Sequence, residues 1–152
     1  MEEKLHLTQK DIDRLIKKLA IKIKNSKKDY DYIVGVARGG LNISMPLAKI
    51  LKIKHTSIRV SFYGEVGVCV PYPRLIDVTS LERKKGELLF VDDLVDAGHT
   101  LNWINVNLNP QYGPFDSAVL YLNKKNQYGI TPTFYIEEKP KAWIIFPWEV
   151  KA

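Results

Sequence analysis

Apolar residues recur at two different periods along the N-terminal third of the chain, and the change of period marks its first structural boundary. Ile12, Leu15, Ile16, Leu19 and Ile23 fall at helical spacing with lysines on the remaining face, so an amphipathic helix is expected, opened by Thr8 as N-cap. The string YDYIVGVA that follows is short, apolar and β-branched, as a strand buried on both faces should be. Arg38-Gly39-Gly40 interrupts it. Residues 41–50 then predict a second helix packing through Leu41, Met45, Leu47, Ala48 and Leu51, with Pro46 giving an early kink or a later true start. Residues 55–63 alternate apolar with polar, the pattern of a half-buried strand. From 64 to 80 the order breaks down. There VGVCV and RLIDVT flank Pro71-Tyr72-Pro73, which predicts a protruding hairpin.

Residues 88–91 form a wholly apolar strand that ends on Asp92-Asp93. A helix is expected from near Thr100 to before Pro110, and further strands at 118–122 and 133–136. Strands alternating with helices predict an α/β fold, with a mostly parallel central sheet flanked by helices in a single domain over residues 1–152. Ligands of such sheets bind beyond the carboxyl ends of the strands. Two turns therefore qualify for scrutiny: Arg38-Gly39-Gly40 and the segment after Val91.

Composition narrows the class. A chain of 152 residues with 45% hydrophobic and 26% charged residues is a globular domain rather than a disordered chain. A single cysteine, Cys69, excludes an internal disulfide and a cysteine-rich zinc site. The N-terminal segment lacks the apolar core of a signal peptide, and no apolar run reaches the roughly 18 residues of a membrane span, so a cytoplasmic location is expected. The net charge of +6 suggests a nucleic-acid partner at first sight. Residues 1–30 alone hold +4 of it, on the polar face of the first helix, and that solvated face accounts for the excess. No nucleic-acid partner and no membrane partner are expected.

The string VDDLVDAGHT, residues 91–100, carries the most specific chemistry. Two adjacent carboxylates at a strand end are costly unless they meet hydroxyls or a divalent cation. Asp96 to Thr100 form a turn into a helix, where backbone N–H groups converge beside the positive helix end and suit a phosphate. Gly98 permits close backbone approach, and the Thr100 hydroxyl can donate to a phosphate oxygen.

This string closely resembles the signature of the type I phosphoribosyltransferases, which bind 5-phosphoribosyl 1-diphosphate. The resemblance implies that Asp92 and Asp93 hold the ribose hydroxyls, and that Asp96, Ala97, Gly98, His99 and Thr100 hold the 5′-phosphate. Ala97 stands where a threonine is common, and His99 where a smaller or basic residue is usual; the backbone donors survive both changes. Arg38 and Gly39 are similar to the family's pyrophosphate loop, and an arginine beside glycines suits a diphosphate chemically.

The C-terminal region, with Asn123-Lys124-Lys125 and then KAWIIFPWE, is similar to the short xanthine–guanine and hypoxanthine phosphoribosyltransferases. That resemblance implies a purine base held by Lys124 at its 6-oxo group (Lys125 being the alternative by one position). Trp143 would stack on the ring, and the Ile144 backbone would face the 2-position. Taken alone, Trp143 is equally readable as a core aromatic. The Pro147-Trp148-Glu149 ending matches the family's acid near metal and pyrophosphate, which implies Asp92 and Glu149 as ligands of Mg²⁺.

The implied reaction moves a 5-phosphoribosyl group to N9 of a 6-oxopurine with loss of pyrophosphate, in purine salvage. Asp96 is then the candidate for assisting proton movement at the purine. A hairpin over 64–74 would serve as a closing lid, with Ser61, Phe62 and Tyr63 at its base, and a small C-terminal hood and a homodimer are further expectations. Two readings compete. One is transfer to another base, which Lys124 and Trp143 disfavour; the other is a regulatory protein of the same fold that senses the phosphoribosyl donor, which only the basic first helix favours.

Overall fold

Thr8 begins the first helix in the way its position predicts. Its hydroxyl accepts the Asp11 N–H at 3.1 Å, and the Asp11 carboxylate accepts the Thr8 N–H at 2.8 Å, a reciprocal capping box. The computed structural model describes residues 3–60, 62–63, 70–71 and 87–149. In chain order the elements begin with β1 (Lys4–His6), α1 (Gln9–Ser26), β2 (Tyr30–Ala37), α2 (Leu41–Leu51), β3 (Lys54–Arg59), β4 (Phe62–Tyr63), β5 (Val70–Pro71) and β6 (Glu87–Val91). Then follow β7 (Leu94–Val95), α3 (His99–Asn107), α4 (Asn109–Tyr112), β8 (Phe115–Ala118), β9 (Tyr121–Leu122), β10 (Glu137–Glu138), β11 (Trp143–Ile145) and a 3-10 turn at Pro147–Glu149.

The central sheet is four-stranded and wholly parallel in the order β3-β2-β6-β8. Its two middle strands read as continuous apolar runs because both faces are covered. Ile33, Leu89 and Val91 face α1 and α2, where Ile12, Leu15, Ile16, Leu19, Ile23, Ile43 and Leu47 complete one core. Val34, Val36, Leu88 and Phe90 face α3, with Leu101, Ile104 and Leu108. Each of these side chains contributes on the order of 2 kcal/mol by leaving water. The expected α/β architecture is what the chain adopts. Beyond the carboxyl ends of the central strands lies a second layer: a three-stranded parallel sheet, β10-β9-β7, and a parallel pair in which β1 joins β11 through Lys4↔Trp143. This small hood is built from both chain termini, not from the C-terminal region alone.

Several expectations need correction. The second helix runs unbroken from Leu41 to Leu51 with Pro46 inside it, and it buries Ile43, Ser44, Leu47 and Ala48 while Met45 stands exposed. On that buried face Ser44 Oγ lies 2.8 Å from His55 Nε2 and fills the space above Gly35. The strand expected over 55–63 ends at Arg59, and the one expected over 118–122 divides into β8 and β9. The division follows from the Asp93 carbonyl, which accepts from both Leu120 and Tyr121 and turns the chain out of the central sheet. Residues 133–136 form no strand; Phe134 makes a single bridge to Ala118 before β10 begins. The helix expected from near Thr100 to before Pro110 is α3, and Pro110 lies in the separate short α4 that follows it.

Phe62 and Tyr63 pair antiparallel with Pro71 and Val70, which puts Pro71 in a strand rather than at a turn. Ser61, Gly64, Cys69 and Arg74, on which the expected lid also falls, lie outside the described residues. Among the described residues, no helix is long and apolar enough to cross a membrane.

Candidate active site

Asp92 and Asp93 leave the carboxyl end of β6 and are stitched to the neighbouring strands by their backbones. Asp92 N–H donates to the Ala118 carbonyl at 3.0 Å, and the Asp93 carbonyl accepts Leu120 N–H at 3.0 Å. The Asp92 side chain accepts the Asp93 N–H at 2.8 Å, and the Asp93 side chain accepts the Leu94 N–H at 2.7 Å. These contacts fix both carboxylates without neutralising them. Burial, reinforced by the adjacent charge of Asp93, pushes the Asp92 carboxyl well above the usual carboxylate range; burial also raises that of Asp93, against its hydrogen bonds. The pair is held in a setting that favours a partner of opposite charge or one rich in hydroxyls.

The turn after β2 abuts this pair. A Cβ at Gly39 would overlap the Asp93 carboxylate, so any larger residue there requires the carboxylate or the Arg38-Gly39-Gly40 turn to shift. Arg38 is exposed beside it, and the Ala37-Arg38 peptide is cis. Two segments about fifty residues apart in sequence are thereby brought together, as the strand-end rule anticipates.

The loop from Asp96 to Thr100 leads into α3, with Gly98 at its cap in the left-handed region (φ 91°). It walls a cavity of about 300 Å³ lined by residues 92–101. Helix α3 presents its N-terminal N–H groups there, which is an anion-binding arrangement. The loop is braced from behind by residues to which sequence reasoning assigned no role. Asn123 Nδ2 donates to the Asp96 carbonyl at 3.1 Å. The buried Asn126 donates to the carbonyls of Asn123 and Ile130 and accepts the Ile130 N–H. Tyr128 places its hydroxyl 2.7 Å from His99 Nδ1, with the two rings edge to face.

A second cavity of about 210 Å³ adjoins the first, sharing Asp93, Leu94 and Asp96 with it. Lys139, Trp143, Ile144, Phe146 and Glu149 complete its lining. Trp143 is 53% exposed, so it is not a core aromatic but an indole on the wall of an opening. Burial, together with the nearby charge of Asp93, raises the Glu149 carboxyl above its ordinary value. Lys124 does not line this space. Its ammonium pairs with Glu138 at 2.7 Å on the exposed side of the hood. Lys139 occupies the inner side instead, 15% exposed, with Nζ 3.9 Å from Asp96. Sequence reasoning missed Lys139, whose one signal is its place after Glu137-Glu138, at the end of a stretch where alternation decides which side a residue faces.

Comparison with known proteins accords with this geometry. The phosphoribosyl transferase domain model matches residues 6–152. Xanthine-guanine phosphoribosyltransferase of Idiomarina loihiensis is 29% identical over 124 residues, covering 81% of this chain and 73% of the relative. The enzyme of the same name from Cereibacter sphaeroides is 28% identical over 153 residues, covering 98% and 89%. Among solved structures, a purine phosphoribosyltransferase from Pyrococcus horikoshii matches with a TM-score of 0.79 and 30% identity, over 99% of this chain and 96% of that one. A xanthine-guanine-hypoxanthine phosphoribosyltransferase from Helicobacter pylori, at 20% identity and a TM-score of 0.82 over 97% and 95%, shares the fold. The chain belongs to the phosphoribosyl transferase domain family.

Proposed function

We propose that this phosphoribosyltransferase moves the 5-phosphoribosyl group of 5-phosphoribosyl 1-diphosphate to N9 of a 6-oxopurine in purine salvage. The observation that carries the reading is the pair of adjoining cavities that share Asp93, Leu94 and Asp96. One has the loop and helix end suited to a phosphate, the other an indole wall and a cation suited to a planar oxo-heterocycle. A ribose at their junction reaches both. The names of the relatives, which specify xanthine, guanine and purine, support the same substrate class.

In the reaction the anomeric C–O bond to the diphosphate breaks, the C–N9 bond forms, and the N9 proton leaves the base. Positive charge develops on the ribose beside Asp92 and Asp93, and negative charge on the departing diphosphate beside Arg38 and the Gly39 backbone. Asp96, at the junction of the cavities, is the group we assign to proton movement on the imidazole edge of the purine. The N–H groups of Ala97, Gly98, His99 and Thr100 hold the 5′-phosphate.

The donor set suits Mg²⁺. That ion takes one or two carboxylates and completes its shell with substrate oxygens and water. Among the described residues no group of three or more His, Cys, Asp or Glu side chains forms a protein-only metal site. Asp92 and Glu149 would hold the ion, which when bound would supply charge neutralisation to the leaving diphosphate.

The test is turnover with Mg²⁺, the phosphoribosyl donor and, separately, guanine, hypoxanthine, xanthine and adenine. Monophosphate formation from a 6-oxopurine, lost in Asp96→Asn, is the expected result. Donor binding without turnover of any base would overturn the enzyme reading in favour of a donor-sensing regulator.

A further inference from the structure

Asp96 lines both cavities, and one residue of the neighbouring strand end holds the chain on either side of it. β7 pairs with β9 through Val95↔Leu122, which brings the next residue, Asn123, alongside Asp96. The Asn123 N–H donates to the Val95 carbonyl at 2.7 Å, and its Nδ2 donates to the Asp96 carbonyl at 3.1 Å. Those two carbonyls belong to the peptide planes that meet at the Asp96 Cα, so a single residue pins both planes. Nδ2 also approaches Oδ1 of the Asp96 carboxylate at 3.4 Å, the same oxygen from which Lys139 Nζ stands 3.9 Å. Among the described residues no hydrogen bond reaches Oδ2, which is left for a ligand.

The Asn123 amide fits in one orientation. Its oxygen accepts the Lys125 N–H at 3.0 Å, a group that can only donate, so the nitrogen is the atom that faces Asp96. The Asn123 carbonyl in turn accepts from the backbone N–H and the Nδ2 of buried Asn126, at 3.2 Å and 3.0 Å. Backbone and side chain of Asn123 are thus engaged at every polar group. The residue lines neither cavity, so what it does to the chemistry it does through Asp96.

Resting on the assignment of proton movement to Asp96, we propose that Asn123 is the positioning residue that orients the Asp96 carboxylate toward the imidazole edge of the bound purine. A displacement of about 1 Å at a reacting group costs about 100-fold in rate, and the Asn123 side chain holds the peptide plane that follows Asp96.

The experiment compares wild type, Asn123→Asp, Asn123→Ser and Asp96→Asn in the single-turnover rate of nucleotide formation from hypoxanthine and from guanine. The half-saturating concentrations of base and donor are measured alongside. Asn123→Asp keeps an oxygen for the Lys125 N–H and replaces the donor facing Asp96 by an acceptor; Asn123→Ser keeps a weaker turn acceptor and sets nothing against Asp96. The rate is expected to fall at least about tenfold in Asn123→Asp and about fivefold in Asn123→Ser, with both half-saturating concentrations within about twofold of wild type. A residue that only braced its own turn would give the reverse order, the isosteric Asp being the milder change, and that order overturns the proposal. So does an unchanged rate in the folded variants, or a loss that arises from weaker saturation by base and donor alike. Should Asn123→Asp not fold, Asn123→Ser decides alone by the same split between rate and saturation. Undiminished turnover in Asp96→Asn would instead bring down the role given to Asp96, and absence of turnover in the wild type the function reading, each taking this proposal with it.

Discussion

The Tyr128 hydroxyl lies 2.7 Å from Nδ1 of His99, linking a residue of the phosphate-type loop to the far side of the turn that braces it. The contact is polar, partly exposed and adjacent to Gly98, whose backbone the Tyr128 ring also approaches. Removing the hydroxyl in Tyr128→Phe leaves the ring in place and takes this contact from the imidazole. A hydrogen bond of this kind contributes about 1 kcal/mol, so donor KM should rise by about fivefold while the base KM stays within twofold. Steady-state kinetics with each substrate varied in turn checks this. Equal changes in both constants would show that the contact does not act through the donor site.

Gly39 tests the meeting of the two strand-end turns. An alanine there places its methyl into the Asp93 carboxylate, and the carboxylate is held by the Leu94 N–H. Relief requires moving either the Arg38 turn or Asp93, and a small misplacement at a reacting centre costs about 100-fold in rate. Gly39→Ala should retain a cooperative melting transition and lose about two orders of magnitude in kcat/KM for the donor. Full activity in that variant would remove the Arg38 turn from the site.

Where one physical rule dominates, the sequence was legible. The face of α1 was readable from helical spacing and the apolar strands β2 and β6 from burial on both faces, while in VDDLVDAGHT a strand end, a turn and a helix start follow one another in the order the residues suggest. What stayed hidden depends on long-range polar contacts. Asn126 looks like any loop asparagine until the fold closes the 123–130 turn around it and buries it. Lys124 and Lys139 carry the same charge at the ends of neighbouring strands, and which one faces the cavity is decided by the β10–β9 register. Met45 was expected to pack, but α2 turns Ile43, Leu47 and Ala48 inward instead, with Ser44 among them in contact with His55.

That contact gives a pH prediction away from the active site. Burial lowers the His55 pKa below its ordinary value, so between the folded pKa and about 6.5 the unfolded chain binds more protons than the folded one. Stability is therefore full above about pH 6.5 and is lost as the pH falls through that window toward the folded value. The raised carboxyls of Asp92 and Asp93 act in the opposite direction, so the readout is a difference: from pH 7 to 5 the urea midpoint of the wild type should fall relative to that of His55→Gln. A constant difference across that range would contradict the account.

The acidic pair sets ligand-free stability against donor binding. The folded-state pKa of Asp92 is raised, first by burial and then by the charge of Asp93, so ionising it penalises the folded state increasingly as the pH rises from about 4 through that raised value. Asp92→Asn keeps the side-chain oxygen that accepts the Asp93 N–H and deletes the charge. At pH 8 the ligand-free variant should melt about 2–4 °C above the wild type, corresponding to about 1 kcal/mol in a chain of this size. At pH 4 or below, where the wild-type group is protonated, the difference should vanish. Saturating donor with Mg²⁺ should reverse the order, because the wild type gains binding free energy that the variant has given up. Thermal melts at both pH values, with and without donor, read all of these outcomes; a variant that is less stable at pH 8 and still stabilised by the donor would contradict both the electrostatic account and the ribose assignment.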